Sequence, residues 1–261
     1  MSESSGTLGP SETFSLGAGV QMTNFRFADT TAASGPVVDW APANATENLE
    51  ALIQDEHKIV ARAVLALRRG PIRYGRDQTI VIEGEPSEYI LLVISGVVRT
   101  FRSFQGGTRS IVAFHLPGEL VGLTNHPTHS LTTEAAADAM ILFFKRSSLL
   151  SIAEQESHVA NFLLTATLNE LRRAQDHSLL VKRGSKCRFA SFLIDLSIRM
   201  GTQEYLKLPM SYGDVADHLG LTIETISRVI TRMETSGLIA RGGSSRLLIL
   251  KNRNALARMA N

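Results

Sequence analysis

Helical and strand-like spacings of apolar residues alternate along this 261-residue chain. Between Ile53 and Arg69 the apolar positions Ile59, Val60, Ala63, Val64 and Leu67 keep helical spacing, and Gly70-Pro71 supplies a stop. Short apolar stretches follow at Thr79-Ile82, Tyr89-Ile94, Val97-Phe101, Ser110-Phe114 and Met140-Phe144. Gly84, Gly96, Gly106-Gly107 and Pro117-Gly118 separate them. Short strands with glycine turns predict an antiparallel β-roll or barrel. His158 to Leu180 contains neither Gly nor Pro and reads as one long helix. Leu164, Leu168 and Leu171 lie on it at the spacing of a coiled-coil seam, and Asn161, Gln175 and Ser178 continue the stripe in polar form. Such a stripe serves either a second copy of the helix or the helix's own domain; its width and its place between two domains favour the dimer.

From Leu208 to Leu250 the pattern predicts helix, turn, helix and hairpin. Ser211 and Asp214 form an approximate capping box, Val215, Ala216 and Leu219 give an inner face, and Gly220 ends the first helix. Thr222 is placed to cap the second, whose buried stripe is expected to be Ile223, Ile226, Val229, Ile230 and Met233, with Gly237 as its stop. Glu224, Thr225, Ser227, Arg228 and Arg232 fall off that stripe. The opening turns of such a second helix are the ones that touch base edges. Arg228 can donate to O6 and N7 of guanine, Glu224 can accept from N4 of cytosine, and Ser227 allows close approach. Thr222, Thr225, Arg232 and Arg246 suit phosphates. The bland alternative is an exposed Glu224–Arg228 ion pair of a few tenths of a kcal/mol (~0.3). Arg241 to Arg246 should be the tip of a β-hairpin wing.

Composition sharpens this picture in two places. The formal net charge is only +2. However, residues 158–261 carry 15 Lys+Arg against 8 Asp+Glu, while residues 1–157 carry 12 against 17. The basic half is therefore the one expected to meet a polyanion. A single cysteine, Cys187, excludes an intramolecular disulfide framework or a four-cysteine metal site within one chain and fits a reducing cytoplasm. Met1 to Pro10 lacks the charge and apolar stretch of a signal peptide, and no apolar run is long enough for a membrane span. The Ser-, Thr-, Gly- and Ala-rich residues 1–50 read as a loosely ordered extension in which the apolar patches Phe25 to Phe27 and Val37 to Trp40 are the exceptions.

These residues together resemble the family of the cyclic-AMP receptor protein and the fumarate and nitrate reduction regulator, the CRP/FNR family, over about residues 53–258. The resemblance rests on Ile82-Glu83-Gly84-Glu85-Pro86-Ser87-Glu88-Tyr89-Ile90, Ile94-Ser95-Gly96-Val97-Val98-Arg99 and Pro117-Gly118-Glu119-Leu120. It rests most specifically on Leu219-Gly220-Leu221-Thr222-Ile223-Glu224-Thr225-Ile226-Ser227-Arg228. It implies an α+β chain in four parts: the extension (1–50), a β-roll sensor domain like those that bind cyclic nucleotides (51–157), a dimerisation helix (158–183) and a winged helix-turn-helix (184–261). Ile223 and Ser227 stand where the cyclic-AMP branch has Arg and Gly, which looks like the FNR/FixK branch. That branch implies a homodimer on a TTGAT-N4-ATCAA-like repeat of double-stranded DNA, RNA polymerase as a partner, and an activator's role in oxygen-limited or redox-related control. A repressor or an unregulated DNA binder would share the same DNA-reading head.

The effector is where the chain departs from its relatives. The resemblance places a pocket at Gly118, Glu119, His129 and Ser130, but His129 stands where a cyclic-nucleotide binder has arginine. Neutral imidazole is a poor substitute for that forked charge, so no cyclic nucleotide is expected, a cyclic-nucleotide-responsive regulator of the cyclic-AMP type being the alternative. An iron-sulfur cluster needs four cysteines, so none is expected either. Cys187, between Lys186 and Arg188, reads as an unreactive thiol, with redox sensing through a charge-favoured thiolate as the alternative. The reactive cysteine of some FixK-like proteins has Ser211 as its counterpart. His115, His126 and His129 raise a cupin-like metalloenzyme as a remote alternative. The required His-x-His pairing is missing, so neither a metal nor a catalytic residue is expected.

Overall fold

In the computed structural model, the described residues are 68–243 and 246–260. The extension and most of the first predicted helix lie outside them. Arg68 and Arg69, expected to end that helix, instead open strand β1 (Arg68–Tyr74). β1 is held by pairing with a partner far along the chain, a long-range constraint that local spacing does not reveal.

The β-roll continues with β2 (Thr79–Val81), β3 (Tyr89–Ser103), β4 (Arg109–His115), β5 (Leu120–Val121) and β6 (Thr132–Lys145). All pairings are antiparallel in the order β1-β6-β3-β4, with β2 on β6 and β5 on β3. Gly96 was expected to separate two strands, yet β3 runs through it. Its φ of +78° and irregular register with β6 mark a bulge. A Cβ at that position would stand 2.0 Å from the Asp138 carbonyl oxygen, so only glycine lets β6 approach so closely. The unbroken apolar run Tyr89-Ile94 is explained by burial on both faces. Leu91 and Val93 face Val98, Ala135 and Ile141 inside the roll, whereas Ile90 and Leu92 face two helices. The first of these, α1 (Arg146–Gln155), lacks a side-chain N-cap and was not expected from sequence.

The long helix α2 (Ser157–Leu180) forms where the spacing places it. Val159 and Leu163 bury against the roll, while the Leu164, Leu168 and Leu171 stripe faces away. α3 (Ser185–Arg199), β7 (Tyr205–Lys207), α4 (Tyr212–Leu219), α5 (Ile223–Thr235), β8 (Ile239–Arg241), β9 (Leu247–Leu250) and α6 (Arg253–Ala260) complete the chain, with β7, β9 and β8 forming a small sheet. The apolar core does not stop between the two halves. Phe101, Ile111, Phe114 and Leu116 of the roll share one buried cluster with Phe189, Leu193, Val215 and Leu219. Among the described residues no helix is long and apolar enough to cross a membrane.

Candidate nucleic-acid interface

Local capping defines the two helices of the reading head. Ser211 Oγ accepts from the Asp214 backbone N at 3.0 Å, and Asp214 Oδ2 accepts from the Ser211 N at 3.0 Å, the full reciprocal box. α4 ends on Gly220 in the left-handed region, φ +60°, and Arg188 donates to the freed Leu219 carbonyl at 2.9 Å. α5 begins at Thr222, whose Oγ1 accepts from the Thr225 N at 3.2 Å. Ile226, Val229, Ile230 and Met233 are buried, as their spacing predicts.

Ile223 is not. It is 52% exposed, because the first residue of α5 sits before the helix has turned its apolar face inward. Ile223 therefore belongs with the outward residues of the opening turns, where Glu224, Ser227 and Arg228 are also exposed. Among the described residues, neither Glu224 nor Arg228 takes part in an ion pair, so the bland alternative for these two side chains is not the arrangement found. Glu224 is held below the ordinary carboxylate range by its own backbone N–H and the Thr222 hydroxyl, as expected at a helix N-terminus. Thr222 and Arg232 are exposed and Thr225 half-buried. Arg246 is half-buried and donates to the Pro209 and Met210 carbonyls at 3.2 and 3.4 Å. The wing forms as β8 and β9, with Ile239 opposite Leu250; Ser244 and Ser245 at its tip lie outside the described residues.

What sequence reasoning missed is how the head is attached. Asp214 spends Oδ2 on its cap and Oδ1 on the sensor domain, accepting from Arg99 at 3.0 Å and Arg109 at 2.7 Å. Arg99 also meets Asp77 at 2.8 Å and Glu134 at 2.6 Å, and Arg109 reaches Asp217 at 2.8 Å. The signal was present as a charged residue inside the apolar run of β3, but its partner lies 115 positions away. A second tie is His218 on α4, whose Nδ1 meets the Ile111 carbonyl of β4 at 3.0 Å while its ring stacks on His177 of α2 at 4.5 Å. Burial, with His177 beside it, pushes the His218 pKa down to about 3.

Each of the four residues expected to line an effector pocket has identifiable surroundings in the structure. Glu119 accepts from Arg199 at 2.7 and 3.0 Å, from Arg173 at 3.3 Å and from the Leu116 backbone at 3.0 Å. Burial alone would raise its pKa, but these arginines hold it below the ordinary range. Gly118 adopts φ +86° in the turn before it. His129 is buried against Gly122, its pKa lowered by burial and by Arg146. Ser130 is exposed and offers its carbonyl to Arg102 at 2.7 Å. Cys187 is a half-buried free thiol in the first turn of α3. His126 is exposed, and His115 is buried with Nε2 at 3.2 Å from Thr100 Oγ1. Among the described residues no three His, Cys, Asp or Glu side chains gather to hold a metal.

This arrangement of roll, long helix and winged head can be set beside known proteins. Residues 71–156 match the cyclic nucleotide-binding domain and residues 187–259 the Crp-like helix-turn-helix domain. The nitrogen fixation regulation protein FixK of Azorhizobium caulinodans is 36% identical over 82% of this chain and 88% of its own. The chain belongs to the CRP/FNR family. The transcriptional activator protein FnrA of Stutzerimonas stutzeri is 34% identical over 70% of this chain and 78% of its own. The solved structure of FixK2 from Bradyrhizobium japonicum aligns with a TM-score of 0.68 at 39% identity, covering 73% of this chain and 96% of that one. This CRP/FNR protein is thus a DNA-binding transcription regulator and not an enzyme.

Replacing Asp214 with Ala leaves the buried Arg99 short of one carboxylate and should cost about 3 kcal/mol in chemical denaturation. Asp217→Ala, at a half-exposed pair, should cost under about 1 kcal/mol. Equal losses would show that the Arg99–Asp214 contact carries no special weight.

Proposed function

We propose that this regulator binds a TTGAT-N4-ATCAA-like inverted repeat as a homodimer in the cytoplasm and activates transcription by engaging RNA polymerase. The observation that carries this reading is the outward display of Glu224, Ser227 and Arg228 in the opening turns of α5, where neither Glu224 nor Arg228 is tied up in an ion pair. Arg228 reads guanine and Glu224 the paired cytosine of one G·C step, and Ser227 admits the groove edge. Ile223, being exposed, adds an apolar contact for the 5-methyl group of a neighbouring thymine, which an A·T-rich half-site supplies. The name of FnrA, a transcriptional activator, supports the activating sense.

The dimer reading is supported by α2. Leu164, Leu168 and Leu171 are 57, 54 and 52% exposed on one stripe, an apolar seam that a second copy would cover. Control without cyclic AMP is supported by Glu119, whose carboxylate oxygens are already taken up by two arginines and a backbone N–H. The neutral His129 adds no anion-binding charge.

In a mobility-shift titration at physiological salt, the repeat should be bound well ahead of a scrambled duplex, and Arg228→Ala should remove about 1–3 kcal/mol of that discrimination. Equal affinity of the native chain for both duplexes would refute the reading. Leu168→Glu should turn a sedimenting dimer into a monomer; an unchanged dimer would place the interface elsewhere. Titration calorimetry with cyclic AMP should show no binding, and a micromolar site would overturn that part.

A further inference from the structure

His218 of α4 lies where four elements meet. Its ring stacks on His177 of α2 at 4.5 Å and 24°, and it also meets Phe114 of β4 at 5.2 Å and Phe192 of α3 at 5.9 Å. Because a carbonyl only accepts, His218 Nδ1 donates to the Ile111 oxygen of β4. His177 Nδ1 is buried and, among the described residues, has no hydrogen-bond partner. The two rings therefore fit one another as neutral imidazoles. An imidazolium donates from both nitrogens, and the closed stack offers His177 Nδ1 no acceptor.

The charges around the stack oppose a proton as well. Arg188 of α3 stands beside His177, and Arg199 of α3 adds to the positive field at His218. The acids on the same elements are committed elsewhere. Asp214 and Asp217 of α4 pair with Arg99 and Arg109, Glu170 of α2 pairs with Arg173, and Asp195 of α3 pairs with Arg199. Asp176, next to His177 on α2, is exposed. On β4, Arg109 is thus already paired, and His115 turns its Nε2 to Thr100. Among the described residues neither His177 nor His218 takes part in an ion pair. Burial first, then Arg188 beside His177 and His177 beside His218, holds both rings below the ordinary histidine range.

We infer that the His177–His218 stack is an acid-sensitive joint, closed while both rings are neutral and opened by a proton on His177, through which pH sets how firmly the reading head docks on the long helix. A protonated His177 needs an acceptor and a countercharge that the closed stack lacks, and turning the ring into water supplies both. Docking is therefore at full strength above the pKa of a free histidine, about 6.5, and weakens as pH falls below it. His218, at about 3, stays neutral across that window, so His177 is the group that titrates. The consequence for DNA binding rests on the reading of the protein as a dimer on an inverted repeat.

The test follows the full chain from about pH 7.5 to about 5.5 at constant salt, a window that brackets the free histidine pKa. One readout is hydrogen exchange of the α4 backbone, corrected for the intrinsic effect of pH; the other is fluorescence anisotropy of a duplex carrying the repeat. The native protein should lose α4 protection and up to about tenfold in affinity per subunit, the most that one excluded proton yields over one pH unit below about 6.5. His177→Phe keeps a ring in the stack but takes no proton, and should hold both readouts level. His177→Gln, which is polar and neutral, should do the same and serves if the Phe variant fails to fold. Parallel pH profiles for the native chain and the variants would overturn the inference, since His177 would then be a packing residue only. So would a loss of α4 protection at unchanged affinity in a native chain that prefers the repeat. If the native chain does not prefer the repeat over a scrambled duplex at the higher pH, the reading of the DNA site falls separately, and α4 exchange alone decides the joint.

Discussion

Arg99 carries a permanent charge in the middle of an apolar strand, 3% exposed, and the architecture is arranged around satisfying it. Burying a lone guanidinium is prohibitive, so carboxylates must come to it. Asp77 and Glu134 arrive from the roll, but Asp214, 2% exposed, is delivered by the DNA-reading head. Folding α4 therefore places the acid that Arg99 needs, and docking the head removes both groups from water together. Asp214 links three scales at once: it caps a helix, neutralises a buried charge and joins two domains.

Glu119 illustrates the same economy in a place where the family resemblance points to a ligand. Its carboxylate ties the turn after β4 to Arg173 of the long helix and Arg199 of α3. Burial opposes the charge of Arg199, yet Glu119 and Asp195 more than offset it and hold the guanidinium firmly protonated. The residue that would contact a small-molecule effector in a nucleotide-binding relative is here a strut between sensor, helix and head. The His177–His218 stack lies at the junction of α2 and α4, next to the carbonyl of Ile111. Movement of the long helix would thus be felt directly by the first helix of the reading head.

Much of this was legible in the chain. The capping box at Ser211 and Asp214, the Gly220 stop, the Thr222 cap and the buried stripe from Ile226 to Met233 are local patterns, and local patterns survive tertiary packing. The seam on α2 was legible for the same reason, since its leucines share one helical face whatever lies opposite. What eluded sequence reasoning depends on distance along the chain. β1 exists only because β6 pairs with it, Gly96 is a bulge and not a turn because β6 presses on it, and the Arg99–Asp214 pair joins residues 115 positions apart. Ile223 failed for a geometric reason: its spacing fits the buried face, but at the helix start there is no preceding turn to cover it.

The rigid attachment of the reading head has a consequence for which DNA sequences count as sites. A head tied by buried charges to the roll, and through the roll to the long helix, has little freedom to swivel. In a dimer built on that helix the two recognition helices would therefore stand at a fixed separation and phase. Each added or deleted base pair rotates one half-site about the duplex axis by roughly 35° relative to the other. The protein would then measure the spacer as strictly as it reads the bases, acting as a ruler whose scale is set by Arg99 and Asp214, a buried pair in the body of the protein.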